Sequence, residues 1–79
     1  MKDEAIEIKP DYHEAWYNKG VALSALGKKE EAIECYDKAI EIKPDYADTW
    51  HNKGLTLKSL GKKKEAKACF KKAEELKNK

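Results

Sequence analysis

The chain contains no arginine; all 17 of its basic residues are lysines. Arginine is the usual reader of base edges and the bidentate partner of phosphate. Its absence weighs against sequence-specific nucleic-acid recognition. No run of 18 apolar residues occurs, so no transmembrane helix is expected. No basic start leads into an apolar stretch, so no signal peptide is expected, and the cytoplasm is the expected compartment. Cys-x-x-Cys, a glycine-rich phosphate loop and Gly-x-Ser-x-Gly are all missing. The two histidines, His13 and His51, have no carboxylate or cysteine at ligand spacing and read as surface residues. No catalytic set, metal site or cofactor site is therefore expected, and the chain reads as non-enzymatic. No strand signal appears.

Cysteine is also scarce, with two in 79 residues. Cys35 and Cys69 stand 34 residues apart. If they mark equivalent points on stacked helical units, they lie roughly 8–10 Å apart. A disulfide needs Cα atoms within about 7 Å. Both are expected to be free, small apolar packing residues.

The same spacing governs the rest of the chain. Residues 5–12 and 39–46 both read Ala-Ile-Glu-Ile-Lys-Pro-Asp-Tyr. The offset of 34 also aligns Trp16 with Trp50, Asn18 with Asn52, Gly20 with Gly54, Gly27 with Gly61, Ala32 with Ala66 and Ala39 with Ala73. A fixed period of this length marks stacked structural repeats. Repetition lays like residues out at intervals, whereas catalysis needs unlike residues converging on one point.

Within each period the pattern is helical. Ala15, Trp16, Gly20, Leu23 and Leu26 recur at spacings of three and four, which predicts an inner face on an amphipathic helix. Trp16 is expected in the interior. Asp11 is positioned to cap that helix, with Glu14 as its capping-box partner. Gly27 is placed to end it in a left-handed turn. A second helix is predicted from about Lys29 to Ile42, with Ala32, Tyr36, Ala39 and Ile40 facing inward; Pro44 forbids continuation. Asp45 is expected to cap a third helix from Ala47 to Leu60. A fourth runs from Lys63 to about Lys77. Gly20 and Gly54 lie inside helices, where glycine costs about 1 kcal/mol relative to alanine. Close approach of a partner helix at Ala32 and Ala66 is the expected reason.

Trp16-x-x-x-Gly20-x-x-Leu23, then Ala32-x-x-x-Tyr36-x-x-Ala39, then Pro44, resembles the tetratricopeptide repeat. The second copy reads Trp50, Gly54, Leu57, Ala66, Phe70 and Ala73. Lys19 and Lys53 stand where the family usually has leucine; their stems can still cover apolar surface while the amines reach water. The resemblance implies an all-α fold, with antiparallel helix-turn-helix repeats stacked as a short right-handed α-solenoid. Residues 1–79 read as one domain: 1–12 a partial second helix of a preceding repeat, 13–46 repeat one, and 47–79 repeat two.

The last helix reads as a polar cap. Lys67 replaces Ile33 and Glu74 replaces Ile40, the isoleucines that would face a following repeat. The C-terminus thus reads as natural and the N-terminus as cut or minimal. Weak self-association through that N-terminal end, without the polar last helix, is expected.

By resemblance, the first helix of each repeat lines a concave groove that holds peptides. The implied groove residues are Tyr17, Asn18, Val21 and Ser24, then His51, Asn52, Leu55 and Lys58. Asparagine can bond a peptide backbone, and Tyr17, Val21 and Leu55 offer apolar contact. The family's paired-lysine clamp for a C-terminal carboxylate is not reproduced, since Tyr17 and Val21 occupy its first-helix positions. The expected function is a protein-interaction scaffold that binds a protein or peptide segment. Two other readings stay open. One is a purely structural, self-assembling or engineered repeat fragment. The other is an anionic-surface or nucleic-acid binder, drawn from the eight lysines against three acids in residues 62–79. The missing arginine disfavours the latter.

Overall fold

A computed structural model describes residues 12–78, in which four α-helices follow one another. They are α1 (His13–Ala25), α2 (Lys29–Ile42), α3 (Ala47–Ser59) and α4 (Lys63–Lys77). No strand occurs among the described residues. Each helix packs on its sequence neighbour, α1 also touches α3, and α1 makes no contact with α4. Contacts confined to a helix pair and the pair beside it are those of an α-solenoid.

Two turns enforce the pairing of α1 with α2 and of α3 with α4. Gly27 and Gly61 take φ of 84° and 83°, a region that residues with a Cβ rarely enter. After Gly27, Lys28 N donates to Leu23 O at 2.9 Å, while Gly27 N donates to Ser24 O at 3.0 Å. Lys62 to Leu57 and Gly61 to Lys58 repeat those bonds at 2.9 and 3.0 Å. Both turns are therefore Schellman motifs, as the glycine positions predict.

The helix starts differ from expectation. The N-cap of α1 is Tyr12 and that of α3 is Tyr46, and neither provides a side-chain capping bond. Asp45 stands one residue ahead of the cap, where its carboxylate pairs with Lys43 Nζ at 3.3 Å. Asp11 lies outside the described residues. What favours each start electrostatically is an acid in the first turn: Glu14, Glu30 and Glu31, Asp48, and Glu65.

The core is thin and made of small residues. Ala32, Cys35, Tyr36 and Ala39 of α2, Leu57 of α3, and Ala66, Cys69 and Ala73 of α4 are buried. Ile33, Trp50 and Phe70 pack against the cluster of Leu57, Ala66 and Cys69. Both cysteines are free, and burial pushes both thiols above the ordinary value of 9.0. Leu26 departs from the expected inner face: it is 72 % exposed, because it is the C-cap residue where the chain turns away. Ile40 is only half-buried. Trp16 and Trp50 are also half-buried rather than interior. Lysine amines lie over both indoles: Lys19 and Lys38 at 5.8 and 5.9 Å from the Trp16 ring, and Lys53 at 6.0 Å from Trp50. The Trp50 indole N–H donates to Pro44 O at 2.8 Å, which ties the helix to the turn before it.

Close approach at Ala32 is found as expected, and an aromatic ring comes nearer still. A Cβ on Gly20 would lie 2.6 Å from Tyr36 Cε1 and 3.2 Å from the Ala32 carbonyl oxygen. On Gly54 it would meet the Phe70 ring at 2.7 Å. An aromatic ring one turn beyond the alanine, not the alanine methyl, fills the space. Lys53 also does more than reach water: its amine forms an ion pair with Asp37 of the preceding repeat. Lys67 and Glu74 are exposed, as expected of a polar outer face.

Candidate functional site

The helices α1 and α3 each place four of the expected groove residues at positions one, two, five and eight of a face. Those spacings bring residues onto one side of a helix. Val21, Ser24, Asn52 and Leu55 together line a depression of about 280 Å³. Ala25, Tyr36 and Thr56 complete much of its wall. Val21 and Leu55 are 42 % and 46 % exposed, so the groove presents two aliphatic side chains to solvent.

Tyr17 joins the site through Asn52. The Asn52 Nδ2 donates to Tyr17 Oη at 2.7 Å and to the backbone O of Asp48 at 3.0 Å. A carbonyl can only accept, so the second bond determines the amide orientation. Both N–H bonds of Asn52 are then used, and its Oδ1 remains as an acceptor. Tyr17, accepting from Asn52, keeps its own proton to donate. Its ring is held edge-on to Tyr46, with centroids 5.7 Å apart, and tilted to Tyr36 at 6.1 Å. Burial, followed by the Asp48 charge, raises the Tyr17 pKa above its ordinary 10.0, so the hydroxyl stays protonated. Thr56 Oγ1 donates to Asn52 O at 3.0 Å, which leaves its oxygen to accept from Ser24 Oγ at 3.4 Å.

The remaining expected residues are placed elsewhere. Asn18 is exposed and does not line the depression. His51 packs its ring against Phe70, with centroids 5.4 Å apart, and lines a separate hollow with Ala73, Glu74 and Lys77. Lys58 lines another hollow, with Lys63, Ala66, Lys67 and Phe70. Sequence reasoning missed Thr56 and Tyr36. Thr56 stands four residues after Asn52 on the same face, a signal that was legible. Tyr36, a core residue by its spacing, also contributes to the wall of the depression. Among the described residues no group of three or more His, Cys, Asp or Glu could hold a metal ion.

Known proteins show the same repeat. Models of the tetratricopeptide repeat match residues 13–46 and, separately, 47–79. An uncharacterised protein of Methanocaldococcus jannaschii is 53 % identical over 34 residues, which is 43 % of this chain and 40 % of that protein. A crystal structure of MamA superposes with a TM-score of 0.94 at 34 % identity, over 98 % of this chain and 45 % of MamA. A second MamA structure gives 0.90 at 34 % identity, over 98 % and 42 %. The chain thus spans less than half the length of each of these relatives.

Proposed function

The chain belongs to the tetratricopeptide repeat family, whose repeats are protein-interaction scaffolds rather than catalysts, and from that premise we propose that it holds an extended peptide across α1 and α3. One observation carries this reading. Tyr17 offers a hydroxyl donor and Asn52 an amide acceptor, bonded to one another, beside exposed Val21 and Leu55. A peptide unit carries one acceptor and one donor, which suits that pair. The two aliphatic side chains would take apolar side chains on either side of it. Asn18, His51 and Lys58 border the path at a distance and would add contacts to a longer segment. We place this activity in the cytoplasm on composition; among the described residues no helix is long and apolar enough to cross a membrane.

A peptide-array screen with the 79-residue chain, followed by NMR titration of the hits, tests the reading. Tyr17→Phe removes the donor and should weaken binding by about fivefold, the worth of one hydrogen bond. Leu55→Ala should weaken it further while changing stability by less than about 0.5 kcal/mol, as for an exposed side chain. Hits whose shifts avoid Val21, Asn52 and Leu55 would overturn the proposal. A chain that binds no peptide and associates only with itself would favour the structural alternative.

A further inference from the structure

Among the described residues only α3 packs on α4, and the outer face of α4 is uncovered. On the equivalent face of α2, α3 sits against Ile33, Tyr36 and Asp37. There Tyr36 is 2 % exposed, Ile33 packs against the Leu57 cluster, and Asp37 pairs with Lys53. Thirty-four residues on, that face reads Lys67, Phe70 and Lys71. Phe70 is only half-buried, and beside it lies a hollow of about 250 Å³ lined by Ala66 and Phe70 and by Lys58, Lys63 and Lys67. The surface keeps the aromatic floor of the α2 face and reverses its charge. Glu74, in place of Ile40, is the acid on that side.

We propose that the outer face of α4 is a docking surface for an acidic amphipathic helix, one that sets apolar residues over Phe70 and a carboxylate opposite Lys71. The internal contact of α3 on α2 supplies the geometry. A helix seated in the same way brings to Lys71 the residue that stands where Lys53 stands. Where Asp37 takes a lysine, Lys71 takes an acid. The same correspondence excludes a second copy of this chain. Its first helix would bring Lys19 to Lys71, and like charges placed opposite one another oppose docking. It would also set Lys67 against the position of Leu23, where α3 in this chain offers Leu57 to Ile33. The face therefore selects a different partner rather than extending itself.

The test uses the full 79-residue chain and a peptide of residues 47–59 locked as a helix by a side-chain bridge on its outer face. The lock is needed because a free helix of this length is marginal in water. Two peptides are compared, the native sequence and Lys53→Glu. The Lys53→Glu peptide should bind about fivefold to tenfold more tightly, as expected when an exposed repulsive pair becomes an attractive one. Amide shifts should centre on Ala66, Lys67, Phe70 and Lys71. The chain variant Lys71→Glu, altered at an exposed position, should reverse the order of the two peptides. Equal affinities, no binding, or shifts centred on Val21 and Leu55 would overturn the proposal. Displacement of the acidic peptide by single-stranded oligothymidylate or by anionic vesicles at equal charge would overturn it too, in favour of a general polyanion site.

Discussion

Gly20→Ala and Gly54→Ala make the same change at equivalent positions and should differ in outcome. In an unstrained helix each would stabilise by up to about 1 kcal/mol. A Cβ introduced at position 20 would stand 2.6 and 2.8 Å from two atoms of the Tyr36 ring and 3.2 Å from the Ala32 carbonyl. Tyr36 is 2 % exposed and lies against Tyr17, so its ring has nowhere to go. Overpacking of this kind costs about 1–3 kcal/mol, which leaves Gly20→Ala destabilised by about 1 kcal/mol net. At Gly54 the three nearest atoms to the Cβ all belong to Phe70, at 2.7 to 3.1 Å, and Phe70 is half-buried, with no further helix among the described residues packed over it. That ring can swing outward, and Gly54→Ala should be neutral or more stable by up to about 1 kcal/mol. The gap of about 1–2 kcal/mol corresponds to roughly 4–16 °C in Tm for a domain of this size. Thermal melts followed by circular dichroism at about 222 nm would measure it. Equal shifts in the two variants would refute the argument that the buried ring, and not helix propensity, keeps glycine at position 20.

Two further outcomes are expected. Trp50→Phe should lower stability by about 1 kcal/mol in urea titration through loss of the indole bond to Pro44 O, whereas an unchanged midpoint would show that bond to be worth nothing. Burial holds the protons of Cys35 and Cys69 to higher pH in the folded chain than in the unfolded one. Their contribution to stability is therefore complete below the ordinary thiol value of 9.0 and is lost as pH rises through the raised folded values. Stability measured from roughly pH 8 to pH 11 should fall less steeply in Cys35→Ala and Cys69→Ala than in the native chain. Identical slopes would count against that linkage.

The repeat period, the helical phases and the places where each helix ends are properties of the sequence itself. A left-handed turn at Gly27 and Gly61 and a stop at Pro44 are local steric requirements, met wherever the chain sits. The helix ranges read from spacing accordingly agree with the structure to within a residue. The polar outer side of α4 was likewise legible, because Lys67 and Glu74 make a charged face where Ile33 and Ile40 make an apolar one. The cap residues were not, since a one-residue shift from Asp45 to Tyr46 alters no spacing. The expected self-association through the N-terminal end concerns residues 1–11, which lie outside the described residues. Convergence within the groove needed the fold. Asn18 and Asn52 occupy one repeat position, yet among the described residues only Asn52 has a preceding repeat to face, where it bonds Tyr17. Tyr36 and Phe70 share another, yet α3 buries the first, whereas the second is only half-buried and no following helix among the described residues covers it. A repeat gives equivalent residues the same neighbours within a unit, but the neighbours between units depend on place in the stack, and that is decided only when the units assemble.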